Sequence, residues 1–397
     1  MTALNLNQPL VQFSQHSPLD LRQRHLAKHC FWEEYDQLLI VDARQIIPSL
    51  GVFALPSWDK MMLDAEMIGD YPSFLKPFDW PKVPALQAWL KQIPQWVQDS
   101  CKLFPQQQLK LLHYCAKYPQ IFELLDHSPM LAWRLVSSDL QEPEIVALLS
   151  GKRQELVGQL GWPGKAETVK LLRNLRLRFV NQQIAEQIEV CILDPKRLDG
   201  LQALPRINSM ALSLAAGFPE LIGSRLHQSL AQLPCRPMQC QSMIALLADV
   251  LQLSELLTHS GWIAQVAQCR YLSEVDAIYQ QALQSSLPID LTLNVDFLHS
   301  VATPLENDAQ RQQLSLAVQH PWHLIAATLT PEQRIVAWQE IDEHGEKQVW
   351  SALVALPQAA DDATPQVLKI RGKENQLAQA KQLSDLHLWL LQTSKAE

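Results

Sequence analysis

The chain has 397 residues and a formal net charge of −8. That length accommodates two to three domains of about 100–200 residues, and the acidic balance gives no whole-molecule attraction to nucleic acid or anionic membrane. Glycine is scarce, at 12 residues, whereas 67 Leu and 44 Gln favour helix, so folds built on repeated glycine turns are disfavoured.

No run of about 18 apolar residues is present, so no membrane span is read. The opening MTALNLNQPLVQFSQHSPLD lacks a basic region followed by an apolar core and does not read as a signal peptide, and a cytoplasmic placement is expected. Seven cysteines, none with CxxC spacing, read as reduced and mostly buried thiols.

In chain order, Ser17-Pro18-Leu19-Asp20 is a good helix start, with a capping residue, Pro in the first turn and an acid behind it. The helix is expected to run through LRQRHLAKHCFWEEYDQ. Leu38–Val41 and Gly51–Leu55 then read as short strands punctuated by Pro48 and Gly51. Residues 56–84, rich in aromatics and prolines, read as a packed irregular connection; Trp58, Trp80, Trp89 and Trp96 there suit core packing.

From about 85 to 300 the pattern is helical almost throughout, with short breaks holding Pro, Gly or Asp. Such breaks imply antiparallel neighbouring helices. Tyr118–Leu125, Glu142–Leu149 and, more weakly, Phe218–Ile222 echo one another, but their unequal spacing does not make a solenoid. Thr303-Pro304-Leu305-Glu306 is expected to cap one more helix. Ile335–Ile341, Gln348–Leu356 and Gln366–Ile370 alternate like strands, with a hairpin at Asp342–Lys347, and Glu374–Leu391 closes the chain as a helix. The expected architecture is predominantly α: a mixed α/β N-terminal region at 1–83, a multi-helix central domain at 84–300, and at 301–397 a linker helix with a small C-terminal α+β module, an antiparallel sheet plus one helix.

Sequence signals for chemistry are sparse. No G-x-S-x-G elbow, phosphate-binding loop, dinucleotide fingerprint, HExxH or EF-hand loop occurs, which leans against an enzyme, and no cofactor or metal is expected. His25 and His29, four apart on the first predicted helix beside Cys30, are the one pair with metal-ligand spacing. His320 and His323 read as helix-end histidines. The acids Glu33, Glu34 and Asp36, and those around Asp342, read as solvated turns.

Local charge is the best signal. Between Gly151 and Arg206 ten Lys/Arg stand against six acids, a net of +4 in a chain of −8. Read as one helix stepping about 100° per residue, KAETVKLLRNLRLRF places Leu171, Leu172, Leu175 and Phe179 on one arc and Lys170, Arg173 and Arg176 opposite, with Arg178 near the edge. Lys152, Arg153, Lys196 and Arg197 add to this speculative basic face. The reading that follows is a non-catalytic helical protein acting through protein–protein binding, as in a larger assembly. The alternatives are a nucleic-acid-associated factor using the basic helix and a metal-dependent hydrolase centred on His25 and His29.

Overall fold

The computed structural model describes residues 18–63, 71–258, 261–342, 344–356 and 365–393. The protein is predominantly α, with twenty α-helices and two small antiparallel sheets among the described residues. None of these helices is long and apolar enough to cross a membrane. Two compact units divide the chain, His16–Cys240 and Gln241–Glu397, the change falling inside the helix Pro237–Leu256.

In the first unit, β1 (Cys30–Glu33), β2 (Leu38–Asp42) and β3 (Val52–Pro56) form an antiparallel meander. The expected long first helix stops at Leu26, because Cys30–Glu33 pairs with Leu38–Val41 across a four-residue turn instead of continuing the helix. Short helices follow. Many start on the prolines that break the sequence, with Pro84, Pro119, Pro129 and Pro195 in first turns, where a missing N–H costs nothing. Others start on side-chain caps: Asn181, Asp194, Asn208 and Ser224 each accept from a backbone N–H of the first turn. Of the three echoed segments, two are proline-led helices and the third is only a 3-10 turn at Pro219–Leu221.

One apolar core runs from Leu26 to Ala231. Residues before and after position 84, among them Trp80, Val83, Leu86 and Trp89, belong to it. There the Trp89 Nε1–H donates to the Pro56 carbonyl at 2.8 Å, and Phe78 stacks on Trp89 with ring centroids 6.0 Å apart. Trp58, Trp80 and Trp89 are all buried.

In the second unit the sheet order is β4 (Thr303–Pro304), β5 (Gln333–Ile341), β6 (Lys347–Ala355), β7 (Gln366–Gly372), all antiparallel. Thr303 is therefore not the expected cap; Asn307 caps the helix Asp308–Val318 by accepting from the Gln310 N–H, and Thr303-Pro304 pairs with Ala337 and Val336. Alternating side chains of β5 enter two cores. Val336 and Trp338 pack with Leu386 and Leu390 of the closing helix Ala380–Thr393, while Ile335 and Ala337 pack with Leu314, Val318 and Trp322. The sheet thus carries a helix layer on both faces, where one was expected. Gly372 lies opposite Trp350, and a Cβ there would come within 2.7 Å of the indole, so only glycine lets the two strands close at that position.

Trp89→Phe keeps most of the buried ring but orphans the Pro56 carbonyl. The expected loss is about 1–3 kcal/mol, seen as a lower urea midpoint at unchanged slope.

Candidate functional site

The basic segment is built differently from the continuous helix that periodicity predicts. The helix spans Ala166–Asn174, and Leu175 is already extended. Leu175 forms a parallel bridge with Ile207; the Arg176 N–H donates to the Ile207 carbonyl (2.8 Å) and the Ile207 N–H to the Asn174 carbonyl (3.0 Å). The reason is legible in Leu175-Arg176-Leu177-Arg178-Phe179, which alternates with a period of two. Leu175 is buried, Leu177 and Phe179 are half-buried, and Arg176 and Arg178 are exposed.

Two surface concavities adjoin here and share Arg176. The first is lined by Lys170, Arg173 and Arg176 with Asn174, His127 and Asp126. Lys170 and Arg173, three apart, share one helix face. The second is lined by Arg176, Arg178 and Arg206 together with Asn208, Ser209, Cys235 and the turn Ala231–Pro234. Arg176 and Arg178 both line it, two apart in a segment whose burial alternates. Each concavity encloses about 290 Å³, at the lower edge of small-molecule sites, about 300–1,000 Å³. That size fits a carboxylate or phosphate group rather than a bulky cofactor.

All five cations are exposed, and among the described residues none of them forms an ion pair. Their hydrogen bonds go to backbone carbonyls: Arg176 Nη1 donates to those of Arg173 and Leu175 at 2.7 and 2.8 Å, and Arg206 Nη2 to that of Gln232 at 2.7 Å. Asp126, the single acid of the lining, sits 3.9 Å from the neighbouring His127. Arg206 was outside the sequence-predicted set, because its approach depends on the Leu175–Ile207 bridge. Asn208 holds the second wall: its side chain accepts from the Ala211 N–H and donates to the Leu230 and Leu233 carbonyls.

The remaining predicted cations line neither concavity. Lys196 is exposed on the helix Pro195–Gln202. Arg197 is engaged, pairing with Asp194 and donating through Nε to the Ala215 carbonyl at 3.0 Å. Arg153 lies 4.0 Å from Glu123, and Lys152 precedes the same helix Arg153–Gln159. His25 lies on the α-helix that ends at Leu26 and His29 on the 3-10 turn Ala27–His29 that follows it, and the Cys30 thiol donates to the Ala27 carbonyl at 2.9 Å. Among the described residues no three of His, Cys, Asp and Glu gather as metal ligands.

The second unit contains a charged cluster that the sequence did not single out. Asp249, fully buried, accepts two-pronged hydrogen bonds from Arg371 at 3.0–3.2 Å, one from Lys369 Nζ at 3.0 Å and one from Asn375 Nδ2 at 2.9 Å. Lys369 also donates to Gln252 Oε1 at 2.8 Å. His320, also fully buried, sits with Nε2 at 3.6 Å from Asp249, too far for a hydrogen bond, and its ring lies 4.2 Å from that of Trp322. Burial opposes ionisation of Asp249, but Arg371 and Lys369 outweigh it and hold the carboxyl well below its ordinary range. Burial pushes the His320 imidazole down to about 3 and so keeps it neutral. Neither concavity reaches this cluster, and the Asp249 carboxylate is satisfied by Arg371, Lys369 and Asn375, as in a structural ion pair, whereas both His320 ring nitrogens are buried without a hydrogen-bond partner among the described residues.

No family model, curated protein or solved structure matches the chain. Function therefore rests on the geometry alone.

Asp249→Asn leaves the Arg371 and Lys369 charges uncompensated inside the unit and is expected to cost about 3–5 kcal/mol, measured by chemical denaturation. Two pH windows follow. A neutral buried His320 means the unfolded chain takes up a proton below its ordinary value of 6.5 while the folded chain does not until about 3, so stability falls as pH drops through that interval. His227 and His323, also pushed down by burial, act in the same direction, so His320→Gln should shallow this slope without abolishing it. The contribution of Asp249 is complete above the ordinary carboxylate value of 3.8 and is lost only below it.

Proposed function

We propose that this is a non-catalytic cytoplasmic binding protein that receives an acidic segment of a partner protein on its paired basic concavities. One observation carries the reading: Lys170, Arg173, Arg176, Arg178 and Arg206 converge on two adjoining recesses, exposed and without carboxylate partners among the described residues. Elsewhere in the first unit some surface cations pair with acids, as Arg44 does with Asp42 at 2.7 Å and Arg134 with Glu189 at 3.3 Å, and others, such as Lys196, stand alone among the described residues, so the convergence of five cations is what sets this face apart. Guanidinium groups held by backbone carbonyls keep their remaining N–H donors free for a carboxylate or phosphate.

The recesses favour acidic peptide over nucleic acid. Single-stranded nucleic acid is held by aromatic stacking as well as charge, and no Phe, Tyr or Trp lines either concavity. A net charge of −8 also opposes a long polyanion, whereas a short acidic segment feels mainly the local field.

Fluorescence anisotropy with a labelled Asp/Glu-rich peptide and with a single-stranded oligonucleotide tests this. The peptide is expected to bind with an affinity that falls as salt rises, and Arg173→Glu with Arg176→Glu to weaken it by roughly tenfold or more. Preferential binding of the oligonucleotide, with a steep salt slope, would transfer the site to the nucleic-acid reading. Peptide binding untouched by the double charge reversal would remove the site altogether.

A further inference from the structure

The two concavities differ in chemistry. The first carries an acid, Asp126, among its cations, whereas no Asp or Glu lines the second. Three guanidinium groups meet in the second, those of Arg176, Arg178 and Arg206. Arg176 uses Nη1 and Arg206 uses Nη2 on backbone carbonyls, so the other nitrogens of each remain as donors.

A helix also begins at this recess. Asn208 and Ser209, the cap and the first residue of the helix Ser209–Gly217, both line it. Asn208 accepts the Ala211 N–H at 2.9 Å, while the Ser209 N–H carries no hydrogen bond among the described residues. Such a helix end gathers partial positive charge and favours an anion. The Ser209 side chain points to a ligand independently. The residue is only 2% exposed, and what surface it keeps lies in the lining of the recess. Its carbonyl receives the Cys240 thiol at 3.5 Å, but its hydroxyl has no hydrogen-bond partner among the described residues. A largely buried hydroxyl without a partner is unfavourable, and a group entering the recess supplies the missing acceptor.

We infer, resting on the acidic-segment reading above, that the second recess takes the phosphomonoester of a phosphorylated side chain within that segment. A carboxylate offers one negative charge and two oxygens. A phosphomonoester offers nearly two charges at neutral pH and three strong acceptor oxygens. Three arginines, a helix N-terminus and a free hydroxyl supply more donors than a carboxylate can use, and arginine binds phosphate two-pronged. The first recess shares Arg176 and adds Lys170 and Arg173. It therefore receives a neighbouring carboxylate of the same segment, which distinguishes a phosphorylated peptide from free phosphate.

Fluorescence anisotropy with two labelled Asp/Glu-rich peptides, identical except that one carries phosphoserine for serine, tests this. At neutral pH the phosphopeptide is expected to bind roughly tenfold or more tighter. That advantage should shrink below about pH 6, where the phosphate takes up its second proton. Ser209→Ala removes a hydroxyl that has no partner to lose and keeps a good helix former at the helix start. It and Arg206→Gln should each lower the ratio of the two affinities, whereas Lys170→Gln, in the first recess, should weaken both peptides and keep the ratio. Equal affinities for the two peptides would overturn the phosphate assignment and leave the acidic-segment reading standing; absence of binding by either would remove both. An advantage untouched by Ser209→Ala combined with Arg206→Gln would place the phosphate outside this recess. Inorganic phosphate is the third probe: if it binds as tightly as the phosphopeptide, the recess is a free-phosphate site and the assignment to a partner's side chain is overturned.

Discussion

The backbone pairing of Leu175 with Ile207 decides where the candidate site residues of the first unit go. Had the helix Ala166–Asn174 continued, Arg178 would stand about 140° around the helix from Arg173. Arg206 would then have no reason to approach either. Instead two reciprocal hydrogen bonds, between Arg176 and Ile207 and between Ile207 and Asn174, draw the chain into extended backbone. Leu175 and Ile207 are both buried, at 6% and 0% exposure, so the pairing is sealed by apolar burial. The alternation of Leu and Arg then does the rest: buried leucines on one side force both arginines to the other. The basic surface is thus a by-product of how the core takes its leucines.

Charge is handled in opposite ways in the two units. Around Asp249 the chain buries a carboxylate and surrounds it with Arg371, Lys369 and Asn375, so the desolvation cost is met by close geometry. On the basic face the cations stay in water, where any one ion pair is worth little, about 0–1 kcal/mol. A surface of this kind contributes little to stability. Its field is strongest toward an incoming anion that brings several charges at once, since many weak contacts then act together.

What the sequence reveals and what it hides divide along the range of the interactions. The strands of the second unit were legible because residues 335–341 and 348–356 alternate and a Gly-containing turn joins them, all local signals; the predominantly helical middle was legible for the same reason. Periodicity failed where two periods overlap. Leu171, Leu172, Leu175 and Phe179 satisfy a helical arc, while 175–179 alone satisfy a strand, and only the distant Ile207 decides between them. Cys30–Glu33 is a similar case, since its helical continuation is overruled by pairing with Leu38–Val41. Thr303 and Asn307 are both good caps, and the choice fell to Asn307 because the β5 edge takes Thr303. Asp249 and Arg371 lie 122 positions apart, so nothing local could join them.

Asn208 ties these features into one piece of structure. Its side-chain oxygen caps the helix Ser209–Gly217 by accepting from the Ala211 N–H. Its amide nitrogen holds the Leu230 and Leu233 carbonyls, which fixes the turn whose Gln232 carbonyl receives Arg206. One largely buried amide therefore sets the wall of the concavity and the position of a cation in it. Because every hydrogen bond of that amide is buried or nearly so, the wall is held against competition from water, and a ligand meeting it encounters donors already in place rather than side chains that must be ordered on binding.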